Sequence, residues 1–166
     1  LSKFNPQNET FRNFTKNDGL QGKEFNLYSA FKTKNGYMLF GGFNGFNYFH
    51  PDSVKENSNI PSVVITDFQI FNKSVKINDE NSALKKHISI ADMLNLSYKH
   101  SVFSFEFAAL DFTAPENNKY AYKLEGFDEY WHYVGNKRTA TYTNIDPGKY
   151  IFHAKGSNND GIWNER

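Results

Sequence analysis

Aromatic residues occupy every second position in the segment between Ser101 and Leu110, where Phe103, Phe105 and Phe107 alternate with smaller or polar residues. Successive side chains of a β-strand point to opposite faces of its sheet, so this spacing predicts a strand with one aromatic face turned toward a core. A chain built around such a strand needs a second layer to cover that face.

Similar short segments recur along the chain, separated by clusters of turn-forming residues. The chain has 17 Phe and 10 Tyr, and such side chains suit a pleated, half-buried surface. Beyond residue 61 we expect a strand at 63–71 that continues over 73–77 after a bend, and further strands at 88–90, 94–98, 101–110, 120–124, 139–143 and 150–154, with one helical turn at 91–94. About seven short strands in roughly a hundred residues predict an immunoglobulin-like β-sandwich.

The first part of the chain contains a short repeat. Residues 1–6 and 46–51 match in their apolar, Phe and Pro positions at an offset of 45 residues. Segments 29–33, 37–40 and 46–50 are predicted to be strands between Asn-Gly turns. Repeats of about 40–50 residues built from short strands are typical of propeller blades, although a chance match in an irregular β segment would look the same.

A polar stretch, 52–59, separates the two parts and is typical of a linker. We therefore expect residues 1–60 to form about one propeller blade and a linker, and residues 61–166 to form the sandwich. Near its end, the Pro147-Gly148 turn places Tyr150 at the start of a strand. A tyrosine there forms a tyrosine corner by bonding back to the backbone, or else serves as an ordinary core aromatic.

The motif order in the second part resembles that of the Y_Y_Y (triple-tyrosine) domain, and Gly36–Pro51 resembles the propeller repeat of two-component regulators. The residues that carry the sandwich resemblance are Tyr120, Tyr122, Gly126, Trp131, Tyr142, Pro147, Gly148, Tyr150, Asn158, Gly161 and Trp163. The resemblance implies an all-β fold, in which an immunoglobulin-like sandwich follows an incomplete propeller blade. It also implies that the sandwich lacks its final strand.

The family to which these motifs point is that of periplasmic sensor regions of Bacteroides-type hybrid two-component systems. The resemblance implies a membrane-proximal segment that relays oligosaccharide sensing to a transmembrane region and a histidine kinase. It further implies a homodimer through the sandwich, with strand exchange as one form, and oligosaccharide binding mainly by propellers outside this chain. The alternative is a carbohydrate-binding or spacer sandwich attached to a secreted glycoside hydrolase.

Residues able to support catalysis or metal binding form no convincing pattern, so we expect no catalytic residue, cofactor or metal in this segment. Carboxylates at strand ends are the candidates for glycoside hydrolysis, but solvated turns explain them better; they are Asp111, Glu116, Glu125, Asp128 and Glu129. The turn 158–161 has too few carboxylates for a strong calcium site.

Charge and composition bear on partners. The net charge of +1 gives no reason to expect nucleic acid, and the absence of Cys rules out disulfides. Trp131 and Trp163 are weak candidates for stacking on a sugar ring, since core or rim packing is the commoner role of such side chains.

Overall fold

A computed structural model describes residues 1–77 and 82–165, which contain twelve β-strands, four short 3₁₀ helices and no α-helix. The chain divides into two compact units, Leu1–Asn57 and Ser58–Arg166. The expected all-β architecture with a sandwich is confirmed. Within the described residues, no helix is long and apolar enough to cross a membrane.

The first unit contains a hairpin and a three-stranded antiparallel sheet. Strand β1 (Ser2–Asn5) pairs with β2 (Thr10–Asn13), and β4 (Met38–Gly42) lies between β3 (Ala30–Lys32) and β5 (Gly45–Phe49). The two copies of the repeat fall on β1 and β5, each of which is followed by a proline. The sequences of β1 and β2 show no strong alternation of apolar and polar residues, so this hairpin was not expected.

Polar side chains hold the loop before β3 onto this sheet. The Asn47 carbonyl oxygen Oδ1 accepts from the Gln21 backbone N–H at 2.9 Å, and its Nδ2 donates to the Gly19 carbonyl at 3.0 Å. The side chain of Gln21 accepts from the Asn44 N–H and donates to the Glu24 carbonyl, both at 3.0 Å.

The second unit is built from two antiparallel sheets. Its seven described strands are β6 Val63–Ile70, β7 Lys73–Ser74, β8 Val102–Ala109, β9 Tyr120–Glu125, β10 His132–Gly135, β11 Thr139–Thr143 and β12 Ile151–Gly156. One sheet has the strand order β11-β8-β6-β7, and the other has the order β10-β9-β12. The 3₁₀ helices are Lys16–Asp18, Pro51–Ser53, Ile88–Ile90 and Pro115–Asn117.

The core of the second unit is mainly aromatic. Phe107 is fully buried, and Phe103 and Phe105 are 9% and 7% exposed, as the alternation in β8 predicts. The ring of Phe105 stacks on Phe152 from β12 in the other sheet, with 4.1 Å between centroids. Ser104, on the opposite face of β8, is also buried, and its hydroxyl lies 2.9 Å from that of Thr141 on β11.

Two expected strands are wrong. Residues 88–90 form a 3₁₀ helix, because the His87 ring accepts from the Ser89 N–H and favours a turn there. This turn buries Ile88 and leaves Ile90 65% exposed. The segment 94–98 has no strand structure, and the helical turn lies three residues before the expected 91–94.

Candidate functional site

The motif residues of the second unit lie on two of its strands, β9 and β11, and on the segments that connect or follow the strands. Tyr120 and Tyr122 are on β9, Tyr142 is on β11, and Tyr150 directly precedes β12. Tyr120 and Tyr142 are 1% and 5% exposed. The Tyr122 and Tyr142 rings meet edge to face across the two sheets, with 6.0 Å between their centroids. These tyrosines therefore join the two layers of the sandwich.

The carboxylate of Asp128 connects the turn after β9 to the opposite sheet. It accepts from the Leu124 N–H at 2.7 Å, from the Tyr142 hydroxyl at 2.8 Å and lies 2.9 Å from His132 Nε2. Gly126 makes the turn possible, because its φ of +93° is unfavourable for other residues. The Asp128 side chain is only 7% exposed. It is therefore a nearly buried acceptor that ties β9, β10 and β11 together.

The ionisation of this group follows from its contacts. Burial opposes the charged form of Asp128, but hydrogen bonds from Leu124, His132 and Tyr142 outweigh it and lower the pKa of the carboxyl. Burial and the neighbouring carboxylate raise the pKa of Tyr142. Asp128 is thus held as an anion and Tyr142 as a neutral donor, a pairing suited to holding structure rather than to proton transfer near neutral pH.

Tyr150 makes the hydrogen bond required of a tyrosine corner. Its hydroxyl donates to the Asp146 carbonyl at 2.9 Å. The ring lies close to the preceding turn, because a Cβ on Gly148 would come within 2.9 Å of the Tyr150 hydroxyl oxygen. Pro147 and Gly148 therefore shape the turn against which the ring packs.

Trp131 and Trp163 surround the ammonium group of Lys155. Lys155 Nζ lies 4.8 Å from the ring centroid of Trp131, 5.3 Å from that of Tyr133 and 5.5 Å from that of Trp163. Glu165 completes the cluster with an oxygen 3.0 Å from Nζ. All these distances fall within the usual range for cation–π contacts and ion pairs.

Lys155 is 8% exposed, although it lies on the face of β12 that points away from the core. Lys155 pairs with Ala121, and Ala121 pairs with Tyr133, so this cluster extends across all three strands of its sheet. Burial alone would lower the pKa of Lys155, but hydrogen bonds with Glu165 and Tyr133 outweigh it and raise that pKa. Both tryptophans therefore have a structural role on this face, and their suggested contact with a sugar stays a prediction.

Asn158 and Asn164 join the segment after β12 to the segment before β6. Asn158 Nδ2 donates to the Asn59 carbonyl at 2.7 Å, and Asn164 Nδ2 donates to the Pro61 carbonyl at 2.9 Å. The carbonyl oxygen of Asn158 accepts from the N–H groups of Asp160 and Ile162 at 3.0 and 2.9 Å. Asn158 and Gly161 therefore form a tight turn, the role that the sequence suggested for this stretch.

The expectation that the carboxylates weighed for catalysis are all solvated is wrong for Asp111 and Asp128, which are nearly buried and accept hydrogen bonds. Asp111 is 4% exposed and accepts from Asn59 Nδ2 at 3.1 Å, whereas Glu125 lies 2.8 Å from His153 Nε2. Lys123 reaches the Glu129 carbonyl at 3.0 Å. Among residues 1–77 and 82–165, no group of three or more His, Cys, Asp and Glu side chains is arranged to hold a metal ion.

A family model and a similar protein of known type agree on what this chain resembles. Residues 111–166 match the model of the Y_Y_Y domain family. Over its full length the chain is 36% identical to histidine kinase P4 of Formosa agariphila, of which it spans 12%.

Solved structures give the same result. The extracellular domain of the hybrid two-component system BT3049 of B. thetaiotaomicron matches 99% of this chain with 26% identity and a TM-score of 0.80. The extracellular domain of BT4673 from the same organism matches 99% with 23% identity and a TM-score of 0.58, which supports the fold. The chain spans 22% and 21% of these two solved chains. Residues 111–166 therefore match the Y_Y_Y domain family, and the chain is similar along its length to the extracellular region of a two-component sensor, as its motifs predict.

Proposed function

We propose that this chain is the membrane-proximal part of the periplasmic sensor region of a two-component histidine kinase. In this role the sandwich relays a rearrangement of the propeller to a transmembrane region and the kinase. The observation that carries the proposal is the match, along 99% of the chain and with a TM-score of 0.80, to the extracellular domain of a two-component sensor. The segment itself is proposed to be non-enzymatic, with kinase activity in the parent protein.

The contacts within the sandwich support a relay function. A ligand changes the balance between two arrangements of a receptor only if it binds them with different affinities. The part that moves must also be stiff enough to transmit its displacement to the next segment. Asp128 and the tyrosines tie both sheets into one unit by short hydrogen bonds and close aromatic contacts. Such a unit is suited to moving as a rigid body.

The relay is tested in the complete protein by lengthening the connection between the two units. A Gly-Ser insertion between Asn57 and Ser58 should leave ligand binding intact and abolish the ligand-dependent change in kinase autophosphorylation. The control is the same insertion in the exposed turn between Asn35 and Gly36, which adds equal length without separating the units. An unchanged kinase response with the first insertion would refute the relay.

Oligosaccharide is proposed as the ligand, bound mainly by propeller blades outside this chain. Calorimetric titration of the chain with an oligosaccharide panel should then give no measurable binding. Tight binding that is lost in both Trp131→Ala and Trp163→Ala would instead favour the carbohydrate-binding module of a secreted hydrolase. Trp131 and Trp163 already contact Lys155, which favours a structural role for both side chains over sugar stacking.

A homodimer through the sandwich is also proposed, with strand exchange as one form. Its support is the outer edge of β12, where described pairing is confined to the end of the strand. Trp163 bridges Ser157, and the Asn164 N–H donates to the Gly156 carbonyl at 2.9 Å. Backbone groups of an uncovered edge favour pairing with another chain. Sedimentation should show concentration-dependent dimers; a monomer at all concentrations would refute this part.

A further inference from the structure

Two segments at opposite ends of the sandwich sequence lie side by side in the structure. We call residues 58–62, which precede β6, the incoming segment, and residues 157–165, which follow β12, the outgoing segment. Asn158 bonds to the incoming segment across 99 residues of sequence, and Asn164 does so across 103. Both segments belong to the second unit.

The geometry of Asn158 fixes both segments with one side chain. Its carbonyl oxygen accepts from the Asp160 and Ile162 N–H groups, which sets the turn of the outgoing segment. Its NH₂ group donates to the Asn59 carbonyl of the incoming segment. The Asn158 side chain is fully buried, so leaving its NH₂ group without this acceptor would carry a desolvation cost.

The second contact strengthens the first. Asn164 Nδ2 reaches the Pro61 carbonyl at 2.9 Å, two residues further along the incoming segment. Pro61 is itself fully buried, and its ring restricts the backbone there. Two donors from one segment therefore bind two carbonyls of the other, which opposes both sliding and rotation between them.

The outgoing segment also contacts β12, the strand that precedes it. Lys155 contacts Trp163 through its ammonium group and pairs with Glu165 at 3.0 Å. The Ser157–Trp163 bridge aligns the same residues with the end of β12. The outgoing segment is therefore attached both to its own sheet and to the incoming segment.

We propose that Asn158 and Asn164 form a clasp through which displacement of the incoming segment passes directly to the outgoing segment. This inference rests on the proposed relay function and names its route. The path runs through two side chains at one end of the sandwich and does not require the aromatic core to deform. Asn158 and Asn164 are positioning residues in this relay.

The clasp is tested by measuring the distance between the two segments. The chain has no Cys, and Ile60 and Ile162 are 63% and 41% exposed, so Ile60→Cys and Ile162→Cys provide two unique sites for spin labels. Pulsed electron resonance on the 166-residue chain should give a narrow distance distribution.

Two substitutions then open the clasp. Asn158→Asp keeps the oxygen that holds the outgoing turn but replaces the donor with a second oxygen facing the Asn59 carbonyl. Asn164→Ala removes the donor to Pro61 and tests the clasp even if the buried carboxylate introduced by the first substitution prevents folding. Both should broaden the distribution, whereas Tyr150→Phe, which removes a hydrogen bond elsewhere in the unit, should leave it narrow.

A distribution that stays narrow in both Asn variants, with near-UV circular dichroism unchanged, would overturn the clasp. The same two substitutions in the complete protein separate the clasp from the relay. If an oligosaccharide from the panel named above changes kinase activity in the unmodified protein, the variants should reduce that change by about five-fold or more. A full response in both variants overturns the clasp alone. The absence of any response in the unmodified protein overturns the relay and, with it, the role of the clasp.

Discussion

The two units have similar aromatic side chains but use them differently. In the second unit Phe68 and Phe107 are fully buried, whereas in the first Phe31 and Phe46 are 67% and 65% exposed. Among residues 1–57 only Gly22 is buried. The sandwich closes a core between its own sheets, whereas the first unit buries almost none of its side chains.

The comparison shows that strand pattern and core formation are separate properties. The first unit forms regular antiparallel strands with registers as clear as those of the sandwich. The proposed assignment of this unit to a propeller would explain its exposed aromatic residues, because a blade buries its faces against neighbouring blades and little within a single copy. In this unit, polar contacts such as those of Asn47 replace a core as the source of local order.

The largest effect is expected from truncating matched phenylalanines in the two units. Phe107→Ala should lower the free energy of unfolding by about 3–5 kcal/mol, because it leaves a cavity between the sheets. Phe46→Ala, at a position 65% exposed, should change it by less than about 0.5 kcal/mol. Denaturant unfolding followed by near-UV circular dichroism measures both. Equal losses of unfolding free energy from the two substitutions would contradict the difference in aromatic burial between the two units.

The contrast also marks what the sequence can predict. Alternation in β8 is a local signal, so both the strand and its buried face could be predicted, and strand β11 was expected with the bounds Thr139–Thr143. Between 88 and 98 the apolar residues have no clear period, and a His87 contact two residues away decides in favour of a turn.

Contacts between distant segments could not be predicted in the same way. The Lys155 cluster depends on register across β12, β9 and β10, and nothing near Lys155 in sequence indicates Trp131 or Tyr133. The turn at Asn158 was predictable from its residues, but its bond to Asn59 spans 99 positions. The family motifs indicated Trp131 and Asn158 without their contacts, and did not indicate Tyr133 or Asn59.

The second effect in size concerns a polar contact inside the sandwich. Asp128→Ala removes the acceptor of the Leu124 N–H and the Tyr142 hydroxyl, and should destabilise the unit by about 1.5–3 kcal/mol. Tyr142→Phe removes one donor and should cost less. Both values come from chemical denaturation at pH 7. An Asp128→Ala variant as stable as the unmodified chain would contradict the role of this carboxylate in joining the sheets.

The same carboxylate predicts a pH dependence. The pKa of Asp128 is lower in the folded chain, so its contribution is complete above its unfolded pKa of about 3.9. The contribution is lost as pH falls through the lower folded pKa. The stability difference between the unmodified chain and Asp128→Ala should therefore narrow below about pH 4. A difference that stays constant from pH 7 to pH 2 would contradict this assignment.

A smaller effect is expected from the corresponding polar contact in the first unit. Asn47→Ala removes the bonds to Gln21 and Gly19, at a local cost of about 1 kcal/mol. Tryptic cleavage after Lys23 should then rise about five-fold, because the loop opens more often. The unfolding transition of the sandwich should not move. A parallel loss of sandwich stability would show that the units are less separate than their burial suggests.

The smallest effect is expected at the tyrosine corner, and it separates the two parts of that side chain. Tyr150→Phe removes the bond to the Asp146 carbonyl, which faces solvent, so the loss should be about 0.5 kcal/mol. Tyr150→Leu also removes the ring that packs against the core and the turn at Gly148, and should cost more. If the two substitutions cost the same by thermal unfolding, the hydroxyl carries the whole contribution. At this position the sandwich would then differ from the first unit by a polar contact and not by aromatic burial.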